Sequence, residues 1–184
     1  MNSANIRYIL YERSGFLTTK TKKIVFSALM ASLVCVATMI VRIPTPMQGY
    51  IHLGDAVVLL CGWTLGPLCG FCSAAIGSAL ADMLSGYMIY APATFFIKGL
   101  SALVGWVLYI HIFKKKKTVW GLVISAIAAE LLMVGLYYIF EGFMYGFAAS
   151  LVNIPANLIQ AAGGIVFGTV LMKALWEKLF EIND

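Results

Sequence analysis

Charged residues are scarce in this chain of 184 residues: they form 11% of it, whereas hydrophobic residues form 61%. A water-soluble domain contains about 25% charged and about 45–50% apolar residues, and a small domain cannot bury such an apolar excess. The composition therefore excludes a soluble globular domain. It equally excludes a disordered chain, a collagen-like fibre and a scaffold built on disulfides. We expect most of the chain to be surrounded by membrane lipid.

Motifs of catalysis and of nucleic-acid binding are also missing. The sequence has no His-Glu-x-x-His, no Gly-x-Ser-x-Gly and no P-loop lysine, and its two histidines, His52 and His111, lie in different segments. No basic stripe with interleaved aromatic residues indicates nucleic-acid binding. Carboxylates and histidines do not cluster as a metal site requires. These absences predict a non-catalytic protein with no cofactor, no metal ion and no nucleic-acid partner.

Long apolar runs predict transmembrane helices, because about 18 or more apolar residues are needed to cross a hydrocarbon core of about 30 Å. The stretch Asp55–Leu84 is too long for one ordinary span, and Gly66-Pro67 near its middle breaks helices and favours a turn. It is therefore either one span or a hairpin of two short spans. The four other candidate spans are Ile24–Val41, Ala93–Phe113, Val119–Phe140 and Ile154–Trp176.

Positive charges decide between these two arrangements. Five basic residues precede the first run, four form the block Lys114–Lys117, and Lys173 and Lys178 lie near the end. Because cytoplasmic loops are enriched in Lys and Arg, a hairpin places all of these on one side and leaves Arg42 outside. We predict an all-α membrane protein with six transmembrane helices and both termini in the cytoplasm. Residues 1–23 are a cytoplasmic segment, residues 24–176 a transmembrane substrate-binding domain and residues 177–184 a cytoplasmic tail.

Ionisable residues within the spans are the first candidates for function, since a charge at the centre of a membrane helix costs about 2.5–3.5 kcal/mol. Asp55, Asp82 and Lys98 fall at similar depth in the outer half of the predicted bundle. They form either a structural ion pair that fixes three spans or, mainly through Lys98, a contact with a polar solute. The sequence leaves both interpretations open.

Two further polar faces lie on the fifth and sixth spans. Glu130, Tyr137 and Glu141 share one helical face. Glu130 either contacts a solute or is held neutral or paired by a neighbouring helix. At the start of the sixth span, polar amides recur with helical spacing, and they either bind a neutral heterocycle or join helices through hydrogen bonds. These amides are Asn153, Asn157 and Gln160.

Two outer loops are rich in aromatic and turn residues. The loop between the first and second spans contains Met47, Tyr50 and His52, which follow its prolines. The loop between the third and fourth spans contains Tyr87 and Tyr90. Tyrosines at this depth are often only interfacial residues. A loop stiffened by prolines can also cover an outward pocket. We therefore consider the first loop a candidate lid.

Small residues on the first span allow close approach of another helix, either from this chain or from a separate membrane subunit. These small residues are Ser27, Ala28, Ala31 and Ser32.

Cys69 and Cys72 have the C-x-x-C spacing of dithiol redox sites, although cysteine is also a common small apolar residue. A thiol oxidoreductase is therefore an alternative function.

An ordered set of motifs resembles the substrate-binding S component of energy-coupling factor (ECF) vitamin transporters, over roughly residues 24–176. Each motif is short, but their order along six predicted spans is specific. The motifs are Ile51-His52-Leu53-Gly54-Asp55-Ala56, Gly66-Pro67, Ala79-Leu80-Ala81-Asp82 with Gly86-Tyr87, Ala91-Pro92-Ala93-Thr94 followed by Lys98-Gly99, and Pro155-x-Asn157-x-x-Gln160.

The resemblance implies a multi-pass protein of the bacterial plasma membrane that captures a vitamin from outside. It also implies partners, namely a transmembrane coupling subunit and two cytoplasmic ATPase subunits that hydrolyse ATP. Substrate would bind near the outer surface, below the first loop. The family's docking motif, Ala-x-x-x-Ala, is present here only as Ala28-x-x-x-Ser32 or Ser27-x-x-x-Ala31. The substrate-binding residues on this interpretation are Tyr87, Tyr90, Thr94, Lys98, Glu130, Tyr137, Asn153, Asn157 and Gln160.

The expected pocket has few charges, several tyrosines and a row of amides, which suits a small aromatic heterocycle. Pyridoxine-like, hydroxymethylpyrimidine-like and riboflavin-like vitamins are all compatible with it. A stand-alone secondary carrier, with Glu130 as its proton site, remains the main alternative to an energised importer.

Overall fold

The computed structural model describes residues 20–45, 49–112 and 119–181, and helices dominate these segments. Two short strands, β1 (Ile43–Pro44) and β2 (Tyr50–Ile51), pair antiparallel between the first two helices. A 3₁₀ turn, Leu151–Asn153, precedes the last helix. The helices are α1 (Lys20–Ile40), α2 (Gly54–Leu65), α3 (Pro67–Leu84), α4 (Ala91–Ile112), α5 (Val119–Tyr145), α6 (Phe147–Ser150) and α7 (Ile154–Glu181).

The six-span prediction is confirmed. Five segments of the described chain are long and apolar enough to cross a membrane, namely α1, α3, α4, α5 and the segment formed by α6 and α7. The sixth, α2, is apolar but has only 12 residues, so it extends about 18 Å at about 1.5 Å per residue. Which side of the membrane the termini face stays a prediction, as does the division into domains.

The predicted hairpin is also confirmed at Gly66-Pro67. Helix α2 ends at Leu65, and α3 begins with Pro67 at its first position. Gly66 has a φ of +81°, which residues with a Cβ rarely adopt. Proline is favourable at a helix start because its missing N–H group would have no partner in the helix. These two residues therefore reverse the chain without breaking a helical hydrogen bond.

Helix α2 lies inside the bundle, in contact with α1, α3, α4 and α7. Residues 54–63 are all buried, so neighbouring helices, and not lipid, cover most of the helix. Val58, Leu59 and Cys61 have no measurable exposure and belong to the main apolar cluster. Large apolar side chains elsewhere point outward, as expected for a surface in contact with lipid, and examples are Trp120 and Phe143.

Two features of the structure differ from the sequence expectations. The fifth span does not end at Phe140, because α5 continues to Tyr145. The chain then turns at Gly146, whose φ is +92°, and forms α6 before it re-enters the bundle. The first loop contains the β1–β2 hairpin, which period-2 patterning did not predict because each strand has only two residues.

Glycines allow backbone contact between neighbouring helices, namely between α2 and α4 and between α3 and α1. A Cβ atom on Gly62 would lie 2.2 Å from the backbone oxygen of Ala102 in α4. A Cβ atom on Gly77 would lie 2.3 Å from the backbone oxygen of Ala31 in α1. In lipid, small residues permit this approach and dispersion contacts then hold the helices together.

We expect Gly62→Ala to lower the free energy of unfolding by about 1–3 kcal/mol, since the added methyl group forces α2 and α4 apart. Thermal unfolding of the detergent-purified protein measures this loss. Gly135→Ala is the matched control, because Gly135 is an exposed helical residue with no atom within 4 Å of the added Cβ. Equal melting temperatures for the two variants would contradict the close α2–α4 contact.

Candidate functional site

A small polar cavity of about 30 Å³ lies at the end of the bundle that carries the β1–β2 hairpin. The hairpin, the end of α3, the start of α4, the end of α5 and the start of α7 surround it. Its lining combines amides, hydroxyls and two carboxyl groups. The lining residues are Thr45, Gly49, Tyr50, His52, Asp82, Tyr87, Tyr90, Thr94, Tyr137, Glu141, Asn153, Asn157 and Gln160.

The hairpin side of the cavity is attached to the bundle through Tyr50. The Tyr50 hydroxyl donates a hydrogen bond to Asp82 Oδ1 at 2.7 Å. The Tyr50 ring also contacts the rings of Tyr87 and His52, with centroid distances of 4.7 and 5.3 Å. The hairpin is therefore fixed to the end of α3 and to the α3–α4 loop by one hydrogen bond and by ring contacts.

The floor of the cavity is a chain of hydrogen bonds that joins three helices, α2, α4 and α7, to the segment after β2. The His52 backbone N–H donates to Gln160 Oε1 at 3.1 Å, and Gln160 Nε2 donates to Asp55 Oδ2 at 2.7 Å. Lys98 Nζ donates to Asp55 Oδ1 at 2.5 Å. All four side chains are buried, so these partners replace the water that the polar groups lose.

His52 is neutral in this arrangement. Its Nδ1 atom accepts a hydrogen bond of 3.1 Å from the Gly54 backbone N–H, which requires an unprotonated Nδ1. Burial lowers the pKa of His52 to about 4, well below the ordinary value near 6.5. The ring therefore carries no charge at pH 7.

The opposite wall is built from α4, α5 and the start of α7. Thr94 Oγ1 and the Tyr137 hydroxyl are 2.9 Å apart and share a hydrogen bond. Glu141 Oε1 accepts from Asn153 Nδ2 at 2.8 Å and from the Tyr90 hydroxyl at 3.4 Å. This wall therefore combines two phenol rings with Glu141 Oε2 and Asn153 Oδ1, which have no hydrogen-bond partner in the described part of the chain.

Two residues predicted to bind substrate lie below the cavity and do not line it. Lys98 is fully buried, with its ammonium 5.3 Å from the centroid of the Tyr137 ring. Glu130 is 1% exposed, and neither of its carboxylate oxygens has a hydrogen-bond partner in the described part of the chain. Substrate contact by these two residues stays a prediction.

The expected cluster of Asp55, Asp82 and Lys98 is only partly assembled. Lys98 pairs with Asp55 in a buried salt bridge. Asp82 instead accepts the Tyr50 hydroxyl and lines the cavity. The reason is that Asp82 lies in the last turn of α3, where the hairpin reaches it, and contact with Tyr50 satisfies one of its oxygens.

Most of the lining residues are among the site residues predicted from the sequence, whereas Thr45, Gly49 and Glu141 are not. Thr45 and Gly49 lie in an irregular loop, where no periodic pattern marks them. The sequence places Glu141 on the Glu130 face, without predicting that it binds substrate. Met47 lies outside the described residues.

The small residues of the first span divide between two faces. Ala31 is buried against α3, and the Ser27 backbone oxygen accepts a hydrogen bond from Ser73 Oγ at 2.9 Å. Ala28 and Ser32 are exposed on the other side of α1. The pair Ser27 and Ala31 therefore packs within the chain, and only Ala28 and Ser32 are accessible to a partner.

The C-x-x-C pair lies within α3. Cys69 and Cys72 are both free thiols and both half-buried. They lie in the first two turns after Gly66, at the opposite end of α3 from Asp82. The two cysteines therefore do not line the cavity.

We expect Gln160→Leu to lower the free energy of unfolding by about 1–3 kcal/mol, since it leaves the His52 N–H and the Asp55 Oδ2 atom without a buried partner. Asn157→Leu is the matched control, because the Asn157 amide makes no hydrogen bond to the described residues. Thermal unfolding in detergent compares the two. A Gln160→Leu melting temperature no lower than that of Asn157→Leu would contradict this role of Gln160.

Comparisons with known proteins agree with this architecture. A family model described as "ECF-type riboflavin transporter, S component" matches residues 18–177. A protein of Pyrococcus woesei, described as "Uncharacterized protein in gap 3'region", is 36% identical over 154 residues, which are 82% of this chain and 99% of that protein. The solved structure of the S component of a bacterial ECF transporter covers 88% of this chain and 99% of its own, with a TM-score of 0.66 and 22% identity. At that identity the structural likeness shows the fold alone, whereas the family model covers most of the sequence. The chain therefore belongs to the family of S components of ECF-type riboflavin transporters.

Proposed function

We propose that this vitamin-transporter S subunit binds riboflavin, or a flavin closely similar to it, in the cavity below the β1–β2 hairpin. The family match supports the flavin. The single observation that carries the site is a buried polar cavity at one end of an otherwise apolar bundle. Its phenol rings suit the faces of an aromatic ring system, and its amides suit the hydrogen-bonding edge.

The distribution of positive charge supports an outward-facing cavity. The basic block Lys114–Lys117 lies in the connection between α4 and α5. The cavity contains residues from the start of α4 and the end of α5, so it lies at the opposite end of the bundle. Because basic connections face the cytoplasm, the cavity faces the exterior of the plasma membrane and both termini face the cytoplasm.

Entry of a flavin requires the hairpin to move. A cavity of about 30 Å³ has room for roughly one water molecule, whereas small-molecule sites commonly have about 300–1,000 Å³. In residues 43–45 and 49–52, the attachments of the hairpin to the bundle include the Tyr50–Asp82 hydrogen bond, the His52–Gln160 hydrogen bond and the contact between the Tyr50 and Tyr87 rings. Breaking them frees groups that a bound flavin can satisfy, so ligand binding offsets the cost of opening.

The transport energy comes from partner subunits, namely a transmembrane coupling subunit and two ATPases. The exposed pair Ala28 and Ser32 supports docking of the coupling subunit on α1, because it leaves a shallow strip among larger apolar side chains. Leu29 and Leu33 flank this strip and are 60% and 46% exposed. Small residues in such a strip allow two membrane helices to approach closely.

We expect Ala28→Leu to reduce co-purification with the coupling subunit at least about tenfold, since the larger side chain separates the two helices. Flavin binding by the isolated subunit remains unchanged. Ala162→Leu, an equal enlargement of an exposed alanine on α7, is the control. Undiminished recovery of the complex with Ala28→Leu would place the docking surface elsewhere.

The function is tested by titrating the full-length purified protein with riboflavin and following the quenching of flavin fluorescence. We expect saturable binding of one flavin per chain. Asn157→Leu should weaken it about 5- to 150-fold, which corresponds to about 1–3 kcal/mol for an unsatisfied polar contact. Its unchanged melting temperature separates this loss from unfolding. Pyridoxine and hydroxymethylpyrimidine are the competing ligands, and binding of either one in preference to riboflavin would contradict the flavin assignment.

A further inference from the structure

The cavity has two carboxyl groups and no basic side chain among its lining residues. Asp82 lines it from α3, and Glu141 lines it from α5. The nearest lysine of the floor, Lys98, lies below the cavity, and its ammonium is paired with Asp55. His52, the remaining ionisable nitrogen group of the lining, uses its Nδ1 atom as an acceptor. The residues that line the cavity therefore present carboxyl oxygens to a ligand and no cationic side chain.

Each of these carboxyl groups is only half satisfied by the protein. Asp82 Oδ1 accepts from Tyr50, whereas Asp82 Oδ2 has no hydrogen-bond partner in the described segments. Glu141 Oε1 accepts from Asn153 and Tyr90, whereas Glu141 Oε2 has none. The Asn153 Oδ1 atom also lacks a donor. All three acceptors belong to side chains that are at most 5% exposed.

Buried acceptors without donors are unfavourable, and most such atoms in folded proteins have a partner. Three of them occur here around one cavity, on the end of α3, the end of α5 and the turn before α7. A ligand that presents several hydroxyl groups would satisfy them together. The side chain of riboflavin is a sugar alcohol with such hydroxyls, and its phosphate ester replaces the terminal one by an anion that only accepts.

We propose that Asp82 and Glu141 select the unphosphorylated vitamin: they accept hydrogen bonds from its sugar-alcohol hydroxyls and exclude the 5′-phosphate ester. This inference rests on the proposed function. A phosphate monoester carries about −1.5 to −2 charges near pH 7. Beside carboxylates and away from bulk water, its repulsion is weakly screened. The carboxyl oxygens of Asp82 and Glu141 therefore favour binding of riboflavin and oppose binding of its 5′-phosphate ester.

The test compares riboflavin with riboflavin 5′-phosphate on the full-length protein in detergent. Both fluoresce, so the same quenching titration measures both dissociation constants. We expect the phosphate ester to bind at least about 30-fold more weakly than riboflavin. The isosteric variants Asp82→Asn and Glu141→Gln should each reduce this ratio several-fold, because they remove the carboxyl charge and keep the shape.

Glu177→Gln is the charge-matched control, since it lies 17 residues beyond Gln160 along α7, about 25 Å from the cavity floor. It should leave the ratio unchanged. Equal affinity of the wild-type protein for both flavins would overturn the inference while leaving the proposed function intact, and so would a ratio that neither variant alters. Binding of neither flavin would overturn the proposed function and this inference with it. The ratio of the two dissociation constants is first measured on the wild-type protein, so misfolding of a variant cannot obscure that result.

Discussion

Lys98 and Asp55 form a buried ion pair in the interior of the helix bundle, and the end of the protein that contains the cavity is organised around it. Neither charge is favourable alone in a membrane interior. Together with Gln160 they form a continuous set of hydrogen bonds between α2, α4 and α7. The backbone N–H of His52 extends the set to the hairpin. The pair therefore fixes the cavity floor, and the position of the floor determines where the lining side chains meet.

The central position of α2 makes this arrangement possible. A helix of 12 residues does not reach across a bilayer, so it is stable only where other helices replace lipid around it. Glycines at positions 62 and 70 allow that, because added Cβ atoms there would lie 2.2 and 2.6 Å from neighbouring backbone atoms. Close packing on every side also removes water and lipid from Asp55. The carboxylate then depends on the partners that α4 and α7 supply.

The hairpin and the bundle interact through groups that a ligand can also use. Tyr50 and Asp82 satisfy each other across the cavity, as do the His52 backbone and Gln160. Other acceptors, on Asp82, Glu141 and Asn153, have no donor in the described chain. The cavity thus combines contacts that hold it small with unsatisfied atoms that favour a ligand.

The amino-acid sequence by itself determined the class of the protein, its six membrane helices and the turn at Gly66-Pro67. Those properties follow from composition, run length and local backbone preference, which act over a few residues at a time. It also placed Tyr87, Tyr90, Asn153, Asn157 and Gln160 near one end of the bundle, since each lies at the edge of a span. Only the tertiary structure decided which partner each polar group has. Asp82 contacts Tyr50 and not Lys98, and Ala31 packs inside while Ala28 remains exposed, because these outcomes depend on the rotation and depth of whole helices. Helix rotation and depth are set by packing between residues far apart in the chain, and no local pattern encodes them.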